Sequence, residues 1–429
     1  MKNDDLTVKK TSNSLNPFEW KSFVSEKRDY NLYRTYLGSK IVILNHTTTA
    51  FLKNPDGTID YKTQINFDDL KLDLKDHGFK ITDRDYISIL NSDKIQKIDS
   101  LTIFFNQLVN NSWDGTDRIR DLVTAAKLAG DYSQNLELIK KWLCTTYAFA
   151  LRGIDPKTPK KVYSRVVFIL YSEQRGFGKT EFFRKIGLIG AIEKATGISG
   201  TEIYAETAGD LPKDDRNFDI DKNTKMIYLL DDINQLLIKG EGKLRSIISQ
   251  EDFSKRALYK DTNQNLKRRA TFAGTTNYKD LLRNEKENRY MVFTITEQMD
   301  FNLLNSLDIM QLWSQIREEV IQKNREAMFS VDDLDKVMKL SSDYIYHSPV
   351  EETLNNMLEF DEKARMGFSD ISQSLKSHSI NESNNKVGSY LKLLAPEGQE
   401  IKIKASNGVR HYKLKWRSRF NNGNQGTPY

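Results

Sequence analysis

The apolar positions of this chain fall into a few short, unbroken runs set among long polar stretches. Val166-Val-Phe-Ile-Leu170 is five apolar residues in a row, β-branched and aromatic. Such a run suits a strand buried on both faces of a parallel sheet. Met226-Ile-Tyr-Leu-Leu230, Ala270-Thr-Phe-Ala-Gly274 and Met291-Val-Phe-Thr-Ile295 repeat the pattern downstream. Residues 136–151 carry a helical period instead, with Leu138, Trp142, Thr145 and Phe149 on a mostly apolar face. Upstream, residues 40–44 and 49–53 read as strands and Asn54-Pro-Asp-Gly57 as a turn. Residues 67–77 read as a helix that Asn66 caps and Gly78 ends. Residues 190–224 are polar and read as irregular.

The last third has its own pattern. Residues 330–342 read as an acidic helix with Ser330 as cap, and His347-Ser-Pro349 starts a second helix that runs to about Glu359. Two more follow, over 369–376 and 381–394. Alternating runs at 400–404 and 409–416 flank Asn407-Gly408, a strong hairpin signal. Two helices and a hairpin spell a winged helix. From Lys376 to Arg419 there are ten Lys or Arg against three Glu. That local excess suits phosphate contacts, with Lys386, Ser389, Lys402, Lys404, Arg410 and Lys413 as the candidate DNA-binding residues. A winged helix used for protein contacts is the alternative.

Candidate chemistry gathers where the first apolar run ends. Ser172-Glu-Gln-Arg-Gly176-Phe-Gly178-Lys179-Thr180 follows it, and Glu181 onward reads as a helix. Strand, glycine loop, Lys-Thr and helix are the parts of a phosphate-binding loop, where backbone N–H groups and a helix N-terminus face an anion. Gly176, Phe177, Gly178, Lys179, Thr180 and Glu181 are then the candidate nucleotide contacts. Lys179 would reach the β- and γ-phosphates and the Thr180 hydroxyl would hold Mg²⁺. The full pattern wants glycine where Glu173 stands, so the turn uses Ser172 and Gly176 or the loop is one residue longer. The second run ends in Asp231-Asp232, one carboxylate suited to the metal and its neighbour to the attacking water. An acidic strand end facing solvent is the bland alternative. The third run ends in Asn277, placed to orient that water. Arg289, before the fourth run, reads either as a surface cation or as a group acting across a subunit interface. Between Lys243 and Arg269 lies a basic cluster with Tyr259 interleaved. It fits a nucleic-acid channel, a phosphate partner on a neighbouring subunit, or a solvated face.

Composition narrows the classes. The chain has 429 residues, 38% hydrophobic and 29% charged, with a net charge of +6. That suits a soluble protein of roughly two to four domains. No apolar run approaches the roughly 18 residues that a membrane span needs. The polar N-terminus does not read as a signal peptide. One cysteine, Cys144, excludes an internal disulfide and a cysteine-rich zinc site, and the five histidines are scattered. A reducing, cytoplasmic setting is expected.

The order of these motifs resembles the virulence-associated protein E (VapE) family of P-loop ATPases, related to superfamily 3 helicases and to the primase-helicases of phages, plasmids and genomic islands. The resemblance runs over about residues 100–300. It rests on Trp113-Asp-Gly-Thr-Asp-Arg118-Ile, Gly176-Phe-Gly-Lys-Thr180, Ile227-Tyr-Leu-Leu-Asp231-Asp232 and Arg256-Ala-Leu-Tyr259. Arg268-Arg-Ala-Thr-Phe-Ala-Gly274-Thr-Thr-Asn277, the most telling stretch, and Asn288-Arg289-Tyr290 complete it. The resemblance implies an α/β P-loop NTPase core (AAA+-like, superfamily 3 helicase-like), to which the patterns on either side add an N-terminal α+β module and a C-terminal winged helix. The expected limits are a disordered arm at 1–15, the small module at 16–100, a helical region at 101–155 and the ATPase core at 156–330. A helical linker at 331–360, the winged helix at 361–416 and a disordered tail at 417–429 complete the chain.

The implied activity is ATP hydrolysis with Mg²⁺, driving a ring-forming DNA helicase in replication of a mobile element. Lys179, Asp231, Asp232 and Asn277 would be catalytic, Thr180 and Asp231 metal-holding, and Arg289 or Arg256 would act in trans. A primase is expected as a separate protein, since the stretch before the core is short for one. Three departures bear on rate: the missing first glycine, Asp232 in place of the usual Glu, and a single Arg at 289. A nucleotide-switched DNA-binding protein without processive unwinding is the alternative function.

Overall fold

The structure is a computed structural model. It describes residues 41–44, 49–56, 58–76, 82–83, 86, 90, 95–152, 162–208, 215–256, 263–282, 287–323, 326–346, 349–377, 382–394 and 411–417. The chain divides into two compact units, Met1–Tyr344 and Ile345–Tyr429.

The described residues of the first unit begin with a four-stranded sheet of β1 (Ile41–Leu44), β2 (Thr49–Lys53), β3 (Ile59–Asn66) and β4 (Gln96–Ile98), in the order β3-β2-β1-β4. Only the β1–β4 pair is parallel. Asp56 makes the β2–β3 turn by accepting from the Thr58 amide and hydroxyl. The Asn66 carboxamide accepts from the Asp68 amide and so opens the helix Phe67–Asp76. Leu44 and Phe51 of this sheet share a cluster with Ile103, on the helix Ser100–Asn110, and with Ile198, just after the helix Gly190–Thr196, which fastens the module to the helices that follow. Three helices then run over Ser100–Asn110, Arg118–Ala125 and Tyr132–Ala150, each started by an aspartate side chain that accepts from the amide three residues on.

The centre of this unit is a five-stranded parallel sheet. Its strands are β5 (Val167–Tyr171), β6 (Tyr204–Ala208), β7 (Ile227–Asp231), β10 (Thr271–Thr276) and β11 (Tyr290–Thr294), in the order β11-β5-β10-β7-β6. Parallel pairing needs helices on the faces, and so the strands read as continuous apolar runs rather than alternating ones. All five residues of β5 and all six of β10 are buried. The Phe168 ring meets Trp142, Phe182, Phe183 and Phe293 edge-on, at centroid distances of 5.2–5.8 Å. That geometry suits the ring quadrupoles and locks helices to the sheet. Between β7 and β10, β8 (Asp252–Arg256) and β9 (Asn263–Lys267) form a separate antiparallel pair.

The stretch 190–224, expected to be irregular, holds the helix Gly190–Thr196, the edge strand β6 and the helix Asp215–Thr224. In β6 only Tyr204 is buried, so its Tyr-Ala-Glu-Thr-Ala sequence lacks the apolar run that marks the inner strands.

The basic stretch Lys243–Arg269 also resolves differently from a channel lining. Arg268 is 1% exposed. Its guanidinium donates to the carbonyls of Gln250, Ala270, Ser164 and Ile248 at 2.6–2.8 Å. It also lies over the rings of Phe149 and Phe272. Burial lowers its pKa to about 9. Arg269 pairs with Asp99, and Arg245 with Glu241 and Glu287. These three arginines are committed inside the fold; Lys243 and Lys267 are exposed. Lys260 and Tyr259 lie outside the described residues, as do the side chains of Lys255 and Arg256.

Among the described residues the second unit holds three helices, Pro349–Met357, Phe368–Ser377 and Asn384–Leu393. The described residues also form four short strands, β12 (Leu358–Phe360), β13 (Met366–Gly367), β14 (His411–Tyr412) and β15 (Leu414–Trp416). β12 pairs with β15 and β13 with β14, both antiparallel. Val350, Leu354, Ile371, Leu375, Val387, Leu391 and Leu414 make its core. The expected hairpin partner at 400–404 and its Asn407-Gly408 turn lie outside the described residues, as do the arm at 1–15 and residues 418–429.

Replacing Arg268 by Ala strands the buried carbonyls of Ala270, Ser164 and Ile248, each worth about 1–3 kcal/mol when left unsatisfied, and frees the half-buried one of Gln250. We expect a loss of at least about 3 kcal/mol in chemical denaturation. Arg268→Lys should recover little of it, because an ammonium lacks the planar fork. A loss under about 1 kcal/mol for either variant would contradict this role.

Candidate active site

β5, β10 and β7 lie side by side and parallel, so their C-terminal ends open on one edge of the sheet. The polar residues that follow each strand meet there. After β5 the chain passes through Ser172–Gly178 into the helix Lys179–Gly187. Gly176 has φ +82° and Gly178 has φ +98°, left-handed values that favour glycine. Among the described residues the only non-glycine residues with positive φ are Lys127 and Asp232. Glu173 therefore stands where its backbone needs no glycine, which accounts for the missing first glycine. The turn is closed instead by the Ser172 hydroxyl, which donates to the Gln174 carbonyl at 2.6 Å.

Gly178 has a second requirement. A Cβ there would stand 2.9 Å from the Phe301 ring and 3.2 Å from the Met299 sulfur. The Met299 amide donates to the Phe177 carbonyl at 3.2 Å. The loop is thus held from behind by the segment that follows β11.

Lys179 is 8% exposed, and its ammonium donates to the Ser172 hydroxyl at 2.6 Å. Burial lowers its pKa, while the Asp231 and Asp232 carboxylates push it back up. The Thr180 hydroxyl donates to Asp231 Oδ1 at 2.9 Å, and the Thr275 hydroxyl donates to the same oxygen. Thr275 also accepts from the Asp232 amide at 3.0 Å. Asp232 is exposed and sits at φ 54°, a conformation that aspartate tolerates better than most residues. The Asn277 carboxamide donates to the carbonyls of Ser172 and Gln174, at 2.7 and 3.1 Å. Glu181, exposed on the first helical turn, pairs with Arg184.

An ammonium, a helix N-terminus and a hydroxyl–carboxylate pair converge on one sheet edge. Such a donor set suits a polyphosphate with a divalent cation.

The structure brings Lys179, Thr180, Asp231, Asp232 and Asn277 together, and leaves Arg289 elsewhere. The Val167 amide, at the start of β5, donates to the Arg289 carbonyl at 2.7 Å. Arg289 therefore stands at the opposite end of the sheet, about 17 Å away at ~3.3 Å per strand residue. Its side chain pairs with Glu287. Of the candidate DNA contacts, Ser389 lies on the helix Asn384–Leu393, with its hydroxyl bonded to the Asn385 carbonyl. Lys413 stands between β14 and β15. Lys402, Lys404, Arg410 and the side chain of Lys386 lie outside the described residues. Sequence reasoning missed Thr275 and Glu287. The Gly-Thr-Thr-Asn spelling carried the signal for Thr275; nothing in the spacing marks Glu287.

Trp113-Asp-Gly-Thr-Asp-Arg118 is a tied turn outside this edge. Arg118 pairs with Asp114 through two bonds of 2.6 and 2.7 Å. Gln311 and Gln315 accept from the Asp114, Arg118 and Ile119 amides.

Residues 106–344, more than half of the 429-residue chain, match the virulence-associated protein E-like domain. The chain belongs to this family. No curated protein matches it. Among solved structures, the apo NrS-1 C-terminal region is 11% identical, with a TM-score of 0.43, over 94% of this chain and 100% of that one. Two structures of its A form, each 10% identical, give TM-scores of 0.44 and 0.45 over 90% of this chain and 98% of theirs. Among the described residues of this family member, no helix is long and apolar enough to cross a membrane.

Gly178→Ala is expected to destabilise the chain by more than about 2 kcal/mol, the left-handed backbone alone costing about 1–2. Adding Phe301→Ala should relieve the collision while leaving the backbone strain. Thermal melts of the single and double variants test this; an unchanged Gly178→Ala melt would refute it.

Proposed function

We propose that this chain is a Mg²⁺-dependent ATPase with a P-loop NTPase core of superfamily 3 helicase type, acting on DNA in replication of a mobile genetic element. The observation that carries the reading is the single Asp231 oxygen that accepts from Thr180 and Thr275 beside the buried Lys179. Lys179 would contact the β- and γ-phosphate oxygens of ATP, and the loop amides from Gly176 to Thr180 the remainder. Thr180 and Asp231 would hold Mg²⁺, which supplies charge neutralisation on the phosphates. Asp232 would take the proton of the attacking water and Asn277 would orient that water. Asn277 would do so from the loop carbonyls that it already holds.

Arg289 cannot reach its own loop across the length of β5, so in this reading it serves a second copy of the chain in a ring. Arg256 is the other candidate for that role. The second unit would be a winged helix that engages DNA through Ser389, Lys413 and Lys386, with Lys402, Lys404 and Arg410 as further candidate phosphate contacts. A separate primase and a cytoplasmic setting complete the proposal.

A second reading has its own observation. Asp232 is one methylene shorter than glutamate and is exposed in a left-handed turn. Slow turnover there favours a nucleotide-switched DNA-binding protein rather than a processive helicase.

ATP hydrolysis measured with and without single-stranded DNA separates the two, followed by strand displacement. The ATPase reading expects turnover that DNA stimulates and that Lys179→Ala lowers about 100-fold or more. No DNA stimulation together with undiminished Lys179→Ala turnover defeats it. For the second unit, Lys413→Ala should weaken duplex binding and reduce the log–log salt slope by about 1. An unchanged slope removes Lys413 from the phosphate contacts.

A further inference from the structure

Glu287 is a carboxylate with only 2% of its side chain exposed, placed between two arginines. Its Oε2 takes the Arg245 guanidinium at 2.7 Å. Its Oε1 accepts from both the backbone amide and Nη1 of Arg289, at 3.0 and 3.1 Å. Arg245 is itself held by Glu241 at 2.6 Å, one turn earlier on the helix Asn234–Ser249. A buried carboxylate is costly unless paired, so this group fixes both partners. Arg289 is held through its own backbone amide and Nη1, so the Nε–Nη2 edge of its planar fork is not committed to Glu287. Its side chain is 37% exposed. The result is a partly exposed arginine at the end of the sheet away from the chain's own loop.

We propose that Glu287 is a positioning residue that aims Arg289 at a nucleotide bound by a second copy of the chain. The inference rests on the ATPase reading and adds to it the group that presents the guanidinium. A flexible arginine in solvent loses rotamer freedom on reaching a phosphate. One already tethered at Nη1 by a buried carboxylate loses less, and its planar fork keeps two donors for bidentate contact.

The test pairs Glu287→Gln, which keeps the shape and removes the charge, with Lys179→Ala. Glu287→Gln alone should bind ATP within about twofold of wild type yet lose turnover about 100-fold, the scale of a 1 Å misplacement. Lys179→Ala chains have a dead loop and an intact Glu287–Arg289 pair. Mixed in equal amounts, the two variants should recover turnover well above the mean of the two alone, because each Glu287→Gln loop can take its arginine from a Lys179→Ala neighbour. A mixture equal to the mean, or a Glu287→Gln chain as active as wild type, overturns the proposal and leaves the ATPase reading standing. A Glu287→Gln chain that has merely lost its fold fails ATP binding and is not rescued by mixing, which also overturns it. Absence of Lys179-dependent turnover in the wild type removes the ATPase reading, and this inference with it.

Discussion

One carboxylate oxygen organises the candidate site. Asp231 Oδ1 accepts from Thr180, at the start of the helix after β5, and from Thr275, near the end of β10. Three neighbouring strands are thereby tied at their C-terminal ends. The arrangement works only because β10, distant in sequence, lies between β5 and β7. With another strand order, Thr275 could not brace the aspartate and the Asp232 amide at once. Asn277 then reaches back over β5 to the carbonyls of Ser172 and Gln174, so the strand that braces the carboxylates also fixes the loop.

The same parallel order sets the distance between Lys179 and Arg289. The loop follows the end of β5 and Arg289 precedes the start of β11, and these strands pair in parallel register. The two groups sit a full strand length apart by construction. The buried Glu287 pairs with Arg289 at that far end.

The inner strands were legible because burial on both faces forces continuous apolar sequence, as in Val167–Tyr171 and Ile227–Asp231. Edge strand β6 was not legible, because only Tyr204 is buried and the rest alternates with polar residues. The loop was read correctly as a turn into a helix, while the missing glycine at 173 made sense only once Glu173 proved to lie outside the positive-φ set. Arg268 looked like one more cation in a basic run. Its burial depends on carbonyls from four separate positions, from Ser164 to Ala270, which no local pattern displays. Glu287 escaped notice for the same reason: its partner Arg245 lies on a distant helix.

The central claim is that Lys179, Thr180 and Asp231 form a site for a Mg²⁺-bound nucleoside triphosphate. Equilibrium titration of the intact chain with ATP, in Mg²⁺ and in chelator, tests it most directly. The account predicts binding that Mg²⁺ strengthens, that Lys179→Ala weakens sharply, and whose Mg²⁺ dependence is lost in Asp231→Asn. Equal affinity in wild type and Lys179→Ala, with no response to Mg²⁺, would contradict it.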